Sequence, residues 1–481
     1  MKLRGADVVA RTLAAAGVRN VFALSGNHVM PVFDAALDAS LNLVHVRHEA
    51  AAVHMADAWG RLTGEVGVAL VTGGPGHANA LGALYTALAA ESPVVLISGH
   101  APLTELGKGA FQEMPQAELA APLTKGSWTV RSVHAVGSDL ARALREARKG
   151  PVHLSVPSDV LDAHTQAKVP TEFAPPEKAQ GQNLDALRNA KRPLVIAGPA
   201  AMRAQARKHA AMPVIGMESP RGVNDPSLGK LSEVLAKADV VLLLGKPLDF
   251  TLKFGKAFAQ DCRVLSAGGD VDLPAPGAAQ QPWLDEVRAA LAYRPAEWKS
   301  IDASLHPVAV CRAVQPILEK GILVCDGGEF GQWAQACLSA PHRVINGPAG
   351  SIGSALPFAA AAKLAFPRAP VVAMMGDGTF GFHTAELDTA LRYGLDYVAV
   401  IGNDACWNAE YQIALKAYGK ERAKNLDLLP TRYGAVAAAF GAHGEDVGEY
   451  KDLQPALERA AGAGKPACVN VMIERAAAPR Y

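Results

Sequence analysis

The stretch Val371-Val372-Ala373-Met374-Met375-Gly376-Asp377-Gly378-Thr379-Phe380-Gly381 decides how the chain reads. An apolar run enters a glycine-rich turn, and a helical pattern follows over residues 384–393. A buried strand, a tight turn and a helix make up the unit of a parallel α/β sheet, which binds ligands at the carboxyl ends of its strands. The turn matches G-x-G-x-x-G, a pattern of dinucleotide-binding folds that is weak on its own. Two features oppose a dinucleotide. Asp377 lies inside the turn, where its carboxylate would repel a pyrophosphate unless a divalent cation stood between them. The ribose-binding acid belongs at the end of the next strand. Here Asp396 precedes that strand (residues 397–402), and Asn403-Asp404 follow it. Two carboxylates at the ends of neighbouring strands, beside a helix N-terminus, suit Mg²⁺ shared with a diphosphate. The plainer alternative is a Gly-rich turn with a capping aspartate.

Outward from this turn the same alternation covers most of the chain. Residues 68–71, 94–98 and 152–156 read as buried strands, with helical stretches over 49–62 and 78–90. A second series has strands at 194–197, 214–217, 240–244 and 263–266. A third has strands at 322–325, 371–375, 397–402 and 467–473. The Pro- and Lys-bearing stretch 166–183 reads as a linker, and the proline-rich stretch 274–306 as a second, less regular one. The expected fold is therefore α/β, with three doubly wound parallel-sheet domains over residues 1–165, 185–295 (short) and 305–481.

Composition narrows the function classes. The 481 residues carry 47 Lys+Arg against 46 Asp+Glu, which gives no electrostatic case for nucleic acid or an anionic membrane. Apolar runs such as Val240–Leu244 are too short to cross a bilayer, and Asp7 interrupts the N-terminus where a signal peptide would be apolar. The six cysteines form no Cys-x-x-Cys pair, which fits a reduced, cytoplasmic protein.

Gly376-Asp377-Gly378 followed by Asn403-Asp404 resembles the diphosphate-anchoring motif of thiamine-diphosphate (ThDP) enzymes, in which the second position is usually Asn-Asn. Further segments resemble acetolactate synthase and its relatives. They are Arg47-His48-Glu49-Ala50-Ala51-Ala52 with Ala56-Asp57-Ala58-Trp59-Gly60-Arg61, then Thr72-Gly73-Gly74-Pro75-Gly76-His77-Ala78-Asn79, then Phe111-Gln112-Glu113 and Pro122-Leu123-Thr124-Lys125. In the last third, Asp326-Gly327-Gly328-Glu329-Phe330 and Gly350-Ser351-Ile352-Gly353 with Leu356-Pro357 continue the match in the family's order.

The resemblance implies that Asp377, Asp404 and the Cys406 carbonyl bind Mg²⁺. It implies that Pro75, Asn79, Gly328, Glu329, Phe330, Ser351, Gly376, Gly378 and Thr379 line the cofactor site. Glu49 would share a proton with the cofactor's aminopyrimidine, a task that an apolar helix start suits. Read by itself, Glu49 is also a helix-start acid favoured by the helix dipole. Ile352 would support the bend of the cofactor, or else simply pack in the core. Asn27, His28 and Gln112 are candidates for contacting the substrate or moving its proton, and His77 and His100 lie near the same strand ends. In the family, Glu49 and Asp377 meet across a subunit interface, which implies a homodimer or homotetramer.

Gly198-Pro199-Ala200-Ala201 is a poor phosphate loop, which speaks against a bound FAD. Three functions stay open. One is an acetolactate synthase-like ligase or decarboxylase acting on a 2-oxo acid. Another is a 2-hydroxyacyl-CoA lyase or oxalyl-CoA decarboxylase-like enzyme, which the segment 246–255 resembles. The third is a non-catalytic ThDP-binding paralogue.

Overall fold

The computed structural model describes residues 2–173, 184–208, 212–269 and 271–479. Most of the expected first linker, 174–183, lies outside the described residues. Three parallel sheets form the framework. The N-terminal sheet holds β1 (Asn20–Ala23), β2 (Asn42–His45), β3 (Gly67–Val71), β4 (Val94–His100), β5 (Gly126–Thr129) and β6 (Val152–Pro157), in the order β2-β1-β3-β4-β6-β5. The central sheet holds β7 (Pro193–Ala197), β8 (Val214–Gly216), β9 (Val240–Leu244) and β10 (Arg263–Ala267), in the order β8-β7-β9-β10. The C-terminal sheet holds β11 (Ile322–Cys325), β12 (His342–Ile345), β13 (Val371–Gly376), β14 (Val398–Asn403), β15 (His443–Val447) and β16 (Ala467–Met472), in the order β12-β11-β13-β14-β16-β15. The two outer sheets thus share one strand order, and the central sheet repeats its first four positions. The inner strands are Val-, Leu- and Ile-rich because both faces are covered, so no alternation survives in them.

The helices that matter for the site are α1 (Glu49–Thr63), α2 (Pro75–Ala89), α3 (Pro199–Lys208), α4 (Gln281–Ala292), α5 (Gly328–Cys337), α6 (Ala355–Ala365) and α7 (Asn408–Tyr418). His48 caps α1 by accepting the Ala50 N–H, and Gly64 ends it at φ 78°. Helix α2 starts three residues before the expected run at residue 78, because Pro75 suits the first helical position, where its missing N–H costs nothing. The run expected over 384–393 forms the helix Glu386–Arg392, and a separate helical turn, Asp377–Phe380, precedes it and begins on the loop aspartate itself. The expected second linker contains α4, whose Trp283, Leu284 and Val287 are buried against the central sheet. Its prolines flank this helix or stand at its start, where they do not break it.

One continuous apolar cluster joins the outer sheets. It includes Phe22 and Val44 beside β1 and β2, Ala52 and Met55 on α1, Leu84 on α2, Phe358 on α6, and Met375 and Ile401 on the C-terminal sheet. Inside this joint Asp57 and Arg61 of α1 form a bidentate pair with two contacts of 2.6 Å. Arg61 also donates to the Ile345 carbonyl of β12. Among the described residues no helix is long and apolar enough to cross a membrane.

Candidate active site

In the C-terminal sheet, Gly376 of β13 stands opposite Gly402 of β14, so Asp377 and Asp404 leave neighbouring strand ends together. They line one cleft with Gly328, Glu329, Phe330, Ile352, Gly376, Gly378, Thr379 and Cys406. Burial raises the Asp377 carboxyl, and burial followed by the charge of Asp377 pushes Asp404 up to about 7. Among the described residues the buried Asp377 Oδ2 finds no hydrogen-bond partner. Two carboxylates paired in this way call for a cation between them. Among the described residues no three His, Cys, Asp or Glu side chains are grouped so as to hold a metal ion. A cation here would therefore take the two carboxylates, a backbone carbonyl and ligand oxygens.

The surrounding backbone suits an anion. Gly328 sits at φ +84°, and a Cβ placed on it or on Gly376 would meet no atom within 4 Å. These two positions face open space. The helix starts at Gly328 and Asp377 follow glycines that supply no side-chain cap, an arrangement suited to receiving a phosphate. The donor set therefore fits a diphosphate bound with Mg²⁺. Other glycines give way to rings. A Cβ on Gly402 would lie 2.4 Å from the Phe330 ring, and one on Gly378 would lie 2.7 Å from Trp407. Ile352 presses its Cγ2 to 2.7 Å from the Cβ position of Gly327.

Several residues that shape this cleft lie outside the site residues expected from the sequence. Asp326 is fully buried at the end of β11 and accepts the N–H groups of Gly327, Gly353 and Ala355. It thereby fixes the turn at Gly328 and the loop bearing Ile352, while burial pushes its carboxyl up to about 6. Asn346 donates to the Ser351 carbonyl, and its buried Oδ1 has no partner. Arg221 reaches the cleft from the segment after β8 and pairs with Glu329 at 3.2 Å. The other oxygen of Glu329 accepts the Ala478 N–H, so both carboxylate oxygens are engaged by protein. Ser351 turns its hydroxyl to Thr86 of α2, 2.7 Å away.

A second group gathers at the carboxyl end of the N-terminal sheet. Glu49 opens α1, is 9% exposed, and accepts a 3.0 Å hydrogen bond from Asn79 Nδ2. Its Oε1 lies 3.3 Å from the Cβ position of Gly76, one residue after Pro75. Asn27 begins a short helical turn and is exposed, whereas His28 beside it is buried, with Nδ1 at 3.2 Å from Thr72 Oγ1. Burial first, then the neighbouring His100, lowers the His28 pKa. Gln112 takes φ 58° and lies against Gly74, where a Cβ would come within 2.6 Å of the Gln112 carbonyl oxygen. Gln116, absent from the sequence reading, ties these turns together. It accepts the Gly74 N–H and donates to the Gly99 carbonyl and Ser155. His100 bonds the carbonyls of Ala101 and Met114, and buried His77 bonds Ser98, with its pKa lowered to about 4 by burial.

Among the described residues the two groups share no cleft, since none before Pro220 lines the one that holds Asp377. Helix α2 runs from the one group to the edge of the other. Gly76 at its start touches Glu49, and Thr86, ten residues on, bonds Ser351 beside Ile352. At about 1.5 Å per residue that is roughly 15 Å.

Among the described residues the central sheet shows no open dinucleotide crevice. Its strand order puts the switch point between β7 and β9. The turns after these strands touch there, and a Cβ on Gly198 would lie 2.4 Å from the Gly245 carbonyl oxygen. At the start of α3 the Glu91 carboxylate accepts the Ala200 N–H at 3.2 Å, where a phosphate would sit. These residues do not fit FAD.

Comparison with known proteins agrees with the geometry. The family described as thiamine pyrophosphate enzyme, N-terminal TPP binding domain, matches residues 3–119. Its C-terminal TPP binding domain counterpart matches residues 326–471. A probable acetolactate synthase of Mycobacterium bovis is 32% identical, over 97% of this chain and 95% of its own length. The 2-hydroxyacyl-CoA lyase 2 of Homo sapiens is 28% identical, over 98% of this chain and 90% of its own. The catabolic acetolactate synthase of Raoultella terrigena is 29% identical, over 98% and 95%.

Proposed function

The chain belongs to the thiamine pyrophosphate enzyme family, and from that premise we propose that it is a ThDP- and Mg²⁺-dependent enzyme that makes or breaks a C–C bond of a 2-oxo acid, as acetolactate synthases do. The observation that carries this reading is the cleft in which Asp377 and Asp404 converge beside open glycine backbone and two uncapped helix starts.

In this proposal the segments 1–165, 185–295 and 305–481 are a pyrimidine-binding, a short central and a diphosphate-binding domain. Asp377, Asp404 and the Cys406 carbonyl hold Mg²⁺. The N–H groups at Gly328 and around Gly378 and Thr379 hold the diphosphate. When bound, ThDP supplies a nucleophilic carbon and a sink for the electrons released from the substrate. Ile352, backed by Gly327, supports the cofactor from below. Asn79 fixes Oε2 of Glu49, which leaves Oε1 to share a proton with a ring nitrogen of the bound cofactor. His28, Asn27 and Gln112 orient the reacting carbonyl, and burial keeps His28 neutral and able to accept a proton.

That the described residues before Pro220 do not line the Asp377 cleft supports a homodimer in which Glu49 of one chain faces Asp377 of the other. A homotetramer would pair two such dimers. A second reading, a 2-hydroxyacyl-CoA lyase, draws support from Arg221, a cation that enters the cleft from the central segment.

Proton NMR of the protein with ThDP, Mg²⁺ and pyruvate tests the proposal. Acetolactate or acetoin is the expected product. Unchanged pyruvate with ThDP bound would refute pyruvate as substrate and favour the acyl-CoA reading.

A further inference from the structure

The loop 403–407 carries the proposed metal ligands, and its backbone is unusual. Ala405 sits at φ 52°, a conformation that a residue with a Cβ keeps only when its surroundings impose it. Three contacts impose it here. The Ile473 N–H binds the Asn403 carbonyl, where β14 meets the chain leaving β16. The segment 405–407 pairs with 426–428, since Trp407 N–H donates to Leu426 and Leu428 N–H donates to Ala405. In that antiparallel bridge Cys406 stands opposite Asp427, and its own N–H and C=O point away from the partner segment, as those of the residue between two bridging bonds must. The third contact is Arg475. One guanidinium nitrogen donates to the Asp404 and Ala405 carbonyls at 3.1 and 3.3 Å, and another donates to Asp427 Oδ1 at 3.0 Å. The guanidinium centre lies 5.2 Å from the Tyr411 ring of α7.

We propose that Arg475 is a positioning residue for the metal site. It keeps the carbonyls of Asp404 and Ala405 on the outer side of the turn, so that the Cys406 carbonyl and the Asp404 carboxylate are presented to Asp377. The inference rests on the Mg²⁺-diphosphate reading of the cleft. Arg475 is not among the residues that line the cleft. It acts by holding two adjacent carbonyls and a carboxylate at once, a task for a rigid fork that a lysine ammonium cannot perform.

The test is ThDP binding by the full-length protein, followed by quenching of tryptophan fluorescence (Trp407 lines the cleft) while Mg²⁺ is titrated. In Arg475→Gln the Mg²⁺ concentration for half-maximal binding is expected to rise about 10- to 100-fold, the usual effect of losing an outer-shell partner. ThDP affinity at saturating Mg²⁺ is expected to stay close to that of the wild type. An unchanged Mg²⁺ requirement would overturn the inference and leave the metal site standing. Equal weakening at every Mg²⁺ concentration, with a lower thermal midpoint, would also overturn it, since that is the mark of a merely structural residue. Wild-type ThDP binding that ignores Mg²⁺ would overturn the metal reading and this inference with it. Should the Gln variant fail to fold, Arg475→Lys keeps the charge without the fork. Its Mg²⁺ requirement is expected to rise as well, and a wild-type value would refute the role.

Discussion

Replacing Asp57 by alanine is expected to weaken the joint between the two outer sheets. The side chain of Asp57 is 0% exposed and that of Arg61 8%, and their pairing is bidentate at 2.6 Å. Without Asp57, the Arg61 cation stays buried against Phe358 with only the Ile345 carbonyl to receive it. Removing one partner of such a pair costs about 3–5 kcal/mol, because the other is left as an uncompensated buried charge. At roughly 2–4 °C per kcal/mol for a unit of 150–250 residues, the thermal midpoint should fall by about 10 °C. Removing both charges is a different perturbation. Asp57→Leu with Arg61→Met fills similar space with apolar groups, and its cost is expected to be within about 2 kcal/mol, far below that of the single variant. Thermal and urea unfolding of the wild type, Asp57→Leu, Arg61→Met and the double variant form the cycle, with Asp57→Ala measured beside them. A single Asp57→Ala that loses less than about 1 kcal/mol, or a double variant worse than either single one, would refute the reasoning.

Three further outcomes are expected. Glu49→Gln should slow turnover by several orders of magnitude while ThDP still binds by calorimetry, and near-wild-type turnover would remove Glu49 from the chemistry. Excess EDTA or Asp377→Asn should weaken ThDP binding, and equal affinity without Mg²⁺ would remove Asp377 and Asp404 as ligands. Burial lowers both His77 and His383 to about 4. Each is held neutral in the fold, so its contribution is fully present above the unfolded pKa near 6.5 and is lost as pH falls from there towards about 4, roughly 3 kcal/mol each at the limit. The thermal midpoint should therefore drop between about pH 7 and pH 4.5, and a flat profile would contradict it.

Local chemistry made much of this molecule legible from sequence. Val371–Gly376 followed by Asp377 announces a strand end carrying a carboxylate, because a strand, a glycine turn and an acid are contiguous in the chain. The alternation of apolar strands with Ala-rich helices announced parallel sheets, since strands buried on both faces need no polar alternation. Single-residue propensities misplaced some boundaries. The prolines that suggested a linker stand at the start of Gln281–Ala292 and around it, and the proline that opens Pro75–Ala89 was read as part of the turn. The residues that sequence did not reveal act across long separations. Gln116 serves Gly74, Gly99 and Ser155, and Arg475 serves Asp404. Neither has a pattern in its own neighbourhood, because its partners are set by the packing of sheets and not by spacing along the chain.

The claim that each site is built by two chains has a direct test. Glu49→Gln and Asp377→Asn chains, each nearly inactive alone, are mixed in equal amounts, dissociated and allowed to reassociate. Random pairing makes half of the dimers mixed, and each mixed dimer restores one intact site of two, so about a quarter of wild-type turnover should return. A mixture as inactive as its components, with mixed dimers shown to have formed, would mean that Glu49 and Asp377 of the same chain work together and would contradict the account.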